Sequence, residues 1–245
     1  VKKLIVNADD FGFTRDVNQG IIEAHRDGIL TAATVMATGT AFDDAVRLAK
    51  ENPSLDIGCH LVLVGAPGFP VTVVQLVRAV MLRRIRIYEE LAAQVRRILD
   101  TGLKPTHLDT HKHTHVLPPV LEAVARISED FKIPWVRRPF PRVLRGRFER
   151  ALARHGCRST DFFAGFRITG RFDAAVLVSL IRSLKEGSTE FMCHPGCYGE
   201  ELRSARTRLK ESRERELQAL KAPEVRAALR EADVELVSYK GLTAP

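Results

Sequence analysis

The groups in this 245-residue sequence best suited to chemistry are two adjacent carboxylates, Asp9 and Asp10, and a crowd of histidines. Four of its eight histidines (His107, His111, His113, His115) fall within nine residues, where an even spread would put about 0.3. Neutral imidazole is the commonest protein ligand for zinc and similar ions, and it needs a second group to fix its tautomer. Asp109 sits inside the run with the same parity, so any extended part of it presents the histidines and this acid on one face. Spacing alone leaves open which of them bind. Asp9-Asp10 by itself is ordinary loop chemistry, with one acid free to cap the next helix. Beside a metal, adjacent carboxylates would divide two tasks, one ligating the ion and the other taking a proton from water. His60, in Gly58-Cys59-His60-Leu61, and His194, in Cys193-His194-Pro195-Gly196, are the remaining candidates. A cysteine-ligated site at Cys193 and Cys197 is the weaker reading, because strand alternation turns Cys193 away from His194 as it turns Cys59 from His60.

The elements that must position these groups follow from apolar periodicity and punctuation. Strands are expected at Lys3–Asn7, Ala32–Met36, Asp56–Val64, Pro105–Asp109, Pro134–Arg137, Thr189–Cys193 and Val234–Tyr239. Between them, helical patterns begin near Thr14 and Thr40, run from about Val73 to Asp100, open at Pro118, span about 144–155, start from Asp173, and cover about 202–232. An irregular stretch follows the Arg-rich helix near 155. This alternation, without linker, repeat or low-complexity segment, implies an α/β fold: one domain over 1–245, an irregular (β/α) barrel of about seven parallel strands. No glycine-rich phosphate or dinucleotide loop follows the first strand, which weighs against open nucleotide-binding sheets. Each of the four polar clusters falls at the C-terminal end of a strand, where loops of parallel barrels build active sites.

The composition, 45% hydrophobic and 28% charged, is that of a globular protein, and no apolar run approaches a membrane span. The beginning of the sequence reads as strand at once, with no secretory signal, and four scattered cysteines are too few for a disulfide framework. A cytoplasmic setting is expected. Nearly the whole +8 net charge sits between Arg137 and Arg158, where eight arginines face a single acid, Glu149. Aromatic residues are not interleaved with them, so no nucleic-acid partner is expected.

The motifs Asn7-Ala8-Asp9-Asp10-Phe11-Gly12, Gly58-x-His60-Leu61, Thr106-His107-Leu108-Asp109-Thr110-His111-Lys112-His113-Thr114-His115 and Cys193-His194-Pro195-Gly196, in this order, resemble the YdjC-like carbohydrate deacetylases. That family includes chitooligosaccharide deacetylases and a hopanoid-associated branch. The likeness extends to Glu216-Leu217-x-x-Leu220 and Val237-Ser238-Tyr239. It implies a hydrolase that removes N-acetyl groups from an amino sugar, an oligosaccharide or a glycolipid such as an N-acetylglucosaminyl hopanoid. It also implies one divalent ion held by Asp10, His60 and His111, with zinc first and magnesium, manganese or cobalt as alternatives. Asp9 would be the base and His194 the acid, with Asp109, His113 and Arg137 contacting substrate or supporting the ligands. A homodimer is the implied assembly.

In one place the sequence departs from that pattern. After Gly65-Ala66-Pro67-Gly68-Phe69-Pro70 a polar substrate-side loop is missing, and an apolar, basic run from Val73 to Arg86 stands instead. It reads as a buried helix, or alternatively as a flap for an amphiphilic substrate at the inner face of a membrane. The rival functions are a metal-dependent phosphoesterase or amidohydrolase, which would need further ligands at other strand ends, and a non-catalytic sugar- or lipid-binding barrel. The intact Asp9, Asp10, His60 and His111 speak against the latter.

Overall fold

The computed structural model describes residues 1–138 and 145–242. β1 (Lys2–Phe11) is the centre of the molecule, and its sequence shows why. Leu4, Val6 and Ala8 face the helix layer and join the main core, whereas Ile5 faces the other way into a separate cluster with Ala32, Val237, Tyr239 and Leu242. Asn7 and Asp9 continue the Ile5 side, so the inner face of the curled sheet becomes polar toward one end. β2 (Ala32–Val35), β3 (Asp56–Leu61), β4 (His107–Thr110), β5 (Trp135–Val136), β6 (Phe162–Ala164) and β7 (Gly187–Cys193) complete a seven-strand path. Their order is β5-β4-β3-β2-β1-β7-β6, and every pairing is parallel.

The sheet curls into an incompletely closed barrel. Its two ends meet where Arg158 bridges β5, its N–H donating to Pro134 O at 2.7 Å while Val136 N–H donates to Arg158 O at 2.8 Å. Helices cover the outside, as βαβ crossovers require. α1 (Arg15–Asp27) is capped by Thr14 and buries Val17, Ile21 and Ala24; α2 (Phe42–Glu51) buries Ala45 and Ala49. After α3 (Val73–Met81) and α4 (Ile87–Leu99) comes α5 (Pro118–Phe131), which has its proline in the first turn. α6 (Arg145–Arg154) precedes α7 (Ala174–Arg182), where Asp173 accepts from Val176 N–H at 3.0 Å. α8 (Glu200–Ser204), α9 (Glu211–Lys221) and α10 (Pro223–Glu231) lead to the edge strand β8 (Val234–Leu236).

Three expectations are corrected here. The stretch read as irregular holds β6, whose three residues are too few to show a period. The last strand, expected as a barrel stave, is β8, which pairs only with Lys2–Leu4, leaving Asn7 to Phe11 to β2. The helix expected from Val73 to Asp100 is two, broken around Arg83, which has φ +51°; no glycine or proline announces that break. The expected start of the Arg-rich helix at residue 144 lies outside the described residues. Its excess charge is partly spent: Arg137 is buried, Arg138 pairs with Glu149 and Arg154 with Glu122.

The end of the barrel opposite the polar mouth is closed by the residues after β8. Tyr239 is buried there and stacks on the His107 ring with centroids 4.0 Å apart. Lys240 N–H donates to Asp56 Oδ2 at 2.9 Å. Gly58 leaves room for that ring: a Cβ on it would lie 2.5 Å from His107 Nε2.

Candidate active site

β1 carries a register irregularity against β2 between Ala8 and Phe11, and Asp10 adopts φ +67° within it. Left-handed backbone is rare for a residue with a Cβ, though aspartate tolerates it better than most. Such a bulge re-aims side chains, and its effect is that two consecutive carboxylates reach one cleft. Asp10 Oδ1 lies 3.3 Å from His60 Nε2 and 3.2 Å from His111 Nδ1. The two ring nitrogens are themselves 3.2 Å apart. His60 Nδ1 donates to Asp109 Oδ1 at 2.7 Å, which turns Nε2 toward the other two ligand atoms. Thr34 Oγ1 holds the other Asp109 oxygen at 3.0 Å. Buried Asp10 Oδ1 has no hydrogen-bond partner of proper geometry, and all three ligand atoms lie within 4.8 Å of one another. One hard and two borderline donors converging on a shared point is a donor set that suits a divalent ion.

Arg137 is the hub behind this trio. Its guanidinium is buried and donates twice to Asp9, at 2.8 Å from Nη1 and 2.6 Å from Nη2. Nη2 also lies 2.7 Å from Asp109 Oδ2, and Nε donates to Glu190 Oε1 at 2.7 Å. Burial alone would raise the Asp9 pKa, but the attraction and hydrogen bonds of Arg137 hold it well below the carboxylate range. His60 shows the reverse balance: burial opposes its charge, yet Asp109, Asp10 and Asp9 lift its pKa to about 10. Asp9, His60 and Asp109 also come within metal-ligand distance of one another. The Arg137 guanidinium already binds both of those acids, so this second cluster is an ion-pair network and not room for a second cation.

His194, at the end of β7, places Nε2 3.9 Å from Asp9 Oδ2. Burial lowers its pKa to about 4. Its backbone N–H donates to Glu216 on α9, and Gly196 N–H donates to Arg213 O at 3.2 Å. Arg213 in turn donates to Asp10 Oδ2. The His194-Pro195-Gly196 turn explains the glycine at position 20, since a Cβ there would lie 2.4 Å from Gly196 Cα. Asp9, Asp10, His60, His111, His113 and His194 all line one cleft of about 710 Å³. Its rim is cationic, with Lys112, Arg167, Arg171, Arg206 and Arg208 all exposed there.

The single-face reading of the histidine run holds only as far as Thr110. Lys112 and His113 take φ +53° and +52°, so the chain turns and parity ends. His113 reaches the cleft and packs edge-on against Phe166. His107 lies deeper, accepting or donating through Asn7 at 3.0 Å and Thr106 at 2.9 Å. His115 is tied to Thr110 Oγ1 at 2.6 Å and does not line the cleft. Sequence reasoning missed Glu190 and Arg213. A signal existed for each: Glu190 shares the parity of His194 on a buried strand, and Arg213 precedes Glu216, Leu217 and Leu220 on the inward stripe of α9.

A sequence model described as YdjC-like protein matches residues 3–231. The chain belongs to the YdjC-like family. Within it, a carbohydrate deacetylase from Geobacillus stearothermophilus is 36% identical over 250 residues, covering 96% of each chain. Another from Vibrio campbellii is 34% identical over 98% of this chain and 96% of its own. A solved structure of an Enterococcus faecalis V583 protein, named for cellobiose-phosphate cleavage, superposes with a TM-score of 0.85 at 27% identity, with 99% of both chains covered. The Family 4 carbohydrate esterase of Streptomyces lividans shares the fold alone, with a TM-score of 0.51 at 11% identity over 100% of this chain and 98% of its own. The four strand ends that carry the resemblance are the ones the geometry brings into one cleft.

Proposed function

We propose that this protein is a metal-dependent hydrolase that removes N-acetyl groups from an amino sugar. The observation carrying this reading is the meeting of Asp10 Oδ1, His60 Nε2 and His111 Nδ1 beside a second, separately clamped carboxylate, Asp9. Binding alone gives no reason for a base next to a metal site. The YdjC-like relatives named as carbohydrate deacetylases support the choice of reaction.

Asp10, His60 and His111 would hold the ion, zinc first among the candidates. Bound there, a divalent ion would polarise an acetamide carbonyl and acidify a water. Asp9 is kept ionised and oriented by two Arg137 hydrogen bonds, so it can accept a proton from an attacking water. The departing amine must be protonated to leave, and His194, neutral and within 3.9 Å of Asp9, is placed to relay to it the proton that Asp9 takes from the water. His113 and Phe166 give an apolar wall for a sugar face, and the rim cations offer donors to its hydroxyls. A cytoplasmic setting belongs to the proposal, supported by four cysteines without a disulfide.

The test is acetate release from diacetylchitobiose, an N-acetylglucosaminyl lipid and a generic phosphoester, with metal-reconstituted protein and an EDTA-stripped control. Acetate that appears only with metal is expected from at least one amino sugar. Metal-dependent phosphate without acetate would replace the reading with a phosphoesterase. Sugar binding without acetate from either amino sugar would replace it with a binding protein.

A further inference from the structure

Helix α3 is apolar on nearly every side, and such a helix is normally buried. Here only Leu76 is. Val74, Val77 and Met81 recur at helical spacing on the opposite side, and Val74 and Met81 are 79% and 78% exposed. Of the nine large apolar side chains exposed among the described residues, five fall between Val71 and Leu82 (Val71, Val73, Val74, Met81 and Leu82). Something covers a patch this concentrated.

Charge identifies what. No acid occurs from Ile57 to Tyr88, whereas Arg78, Arg83, Arg84 and Arg86 are all exposed in that span. Arg86 faces Glu89 at 3.8 Å, while Arg78, Arg83 and Arg84 have no ion pair among the described residues. A second copy of the chain docked through the same patch would bring these cations against each other, which disfavours a symmetric dimer here. Apolar side chains ringed by arginines instead match the acyl and headgroup layers of an anionic membrane. No helix among the described residues is long and apolar enough to cross a membrane, so the contact would be interfacial.

We propose that the segment 71–86 docks this protein on an anionic lipid surface, with Val71, Val74, Met81 and Leu82 entering the interface and Arg78, Arg83 and Arg84 meeting lipid phosphates. The consequence for the site is direct. Gly65 lines the cleft, its N–H closes a loop onto Pro70 O at 2.8 Å, and Val71 follows at once. Docking therefore sets the cleft mouth beside the membrane, within reach of a sugar carried on a lipid. The surface stands on its own residues and not on the deacetylase reading.

The experiment is co-sedimentation at low salt with vesicles of phosphatidylcholine alone or mixed with phosphatidylglycerol. Wild type, V74S/M81S and R78Q/R83Q/R84Q are compared. A V74W variant read by emission and by brominated-lipid quenching reports insertion. All substituted residues are exposed, and unchanged melting temperatures verify the fold. Expected are retention on anionic vesicles, its loss in V74S/M81S, a fall of about fivefold in partition for each arginine removed, and a quenchable blue shift for V74W. Absent retention, equal retention on neutral vesicles, or retention that both multiple variants leave intact would overturn the assignment. A dimer in ultracentrifugation that V74S/M81S dissolves would overturn it too, by naming a second copy as the cover.

Discussion

Asp9 and Asp10 differ by one position yet answer to different partners, and that separation can be tested. Asp9 belongs to Arg137, and Asp10 to His60, His111 and Arg213. Asp9→Asn should therefore lower turnover by about 10²- to 10⁴-fold while bound metal, measured by elemental analysis, stays at wild-type stoichiometry. Metal lost along with turnover would mean that Asp9 is a ligand. Asp109→Asn should act oppositely, weakening metal affinity about 10- to 100-fold through the orientation of His60, as read by competition with a chromogenic chelator. Arg137→Gln leaves three buried acids without their cation and should cost about 3–5 kcal/mol of stability in denaturant unfolding. At this scale the family resemblance, carried by the specific motifs around Asp9 and His111, pointed to Asp10, His60, His111, Asp9 and His194, and the structure brings those five side chains into one cleft. Glu190 and Arg213 stayed hidden, because a lone charge in a strand or charged helix looks like solvent-facing surface. Arg137 was half hidden, as one arginine in a basic stretch.

The elements place these side chains by small departures from regularity. A bulge in β1 brings both acids to the cleft, and two left-handed residues after β4 end the alternation that a period-two reading extends to His115. Neither departure leaves a mark in composition, and both lie in stretches without proline. Helix caps at Thr14 and Asp173 and the proline opening α5 were legible because each rests on a local hydrogen bond or a fixed torsion, whereas strand ends were not: β1 runs on to Phe11 and β3 stops at Leu61. β6 was not, because its pairing with β7 lies across the sheet and not in its own three residues. One close contact between elements is Gly58 under the His107 ring. Gly58→Ala should destabilise the fold by about 1–3 kcal/mol, since neither a β-strand backbone nor a ring stacked on Tyr239 can retreat. Thermal melts of the variant check this, and an unchanged melting temperature would mean the interior is looser than the distances indicate.

Taken as one molecule, the protein has a barrel interior that is charged at the mouth and neutral imidazole below. Burial holds His107 and His115 at pKa values of about 4, against 6.5 for an exposed histidine. Between those values the unfolded chain binds more protons than the folded one. Their stabilising contribution is therefore complete above pH 6.5 and lost as the pH falls through 4. Glu216 runs the other way: burial raises it to about 7, so its contribution is fullest below 4.5 and fades as the pH rises through 7. With four lowered imidazoles (His107, His113, His115 and His194) against two raised carboxylates (Glu190 and Glu216), unfolding free energy should drop on acidification from pH 6.5 to 4.5. Replacing His107 by Asn should flatten that slope by up to about 1.4 kcal/mol per pH unit, as read from urea titrations. A slope that is unchanged would place the protonation elsewhere. The position of β1 has one more consequence. It lies inside the sheet between β2 and β7 and is made before both, while β7 begins only at Gly187. At ordinary rates of translation that partner emerges roughly ten to thirty seconds later. Throughout that wait the nascent strand would offer an open edge, and charges at both its ends, Lys2 and Lys3 as well as Asp9 and Asp10, are of the kind that discourage pairing with another chain. The acids of the finished cleft would thus first help to guard an unfinished one.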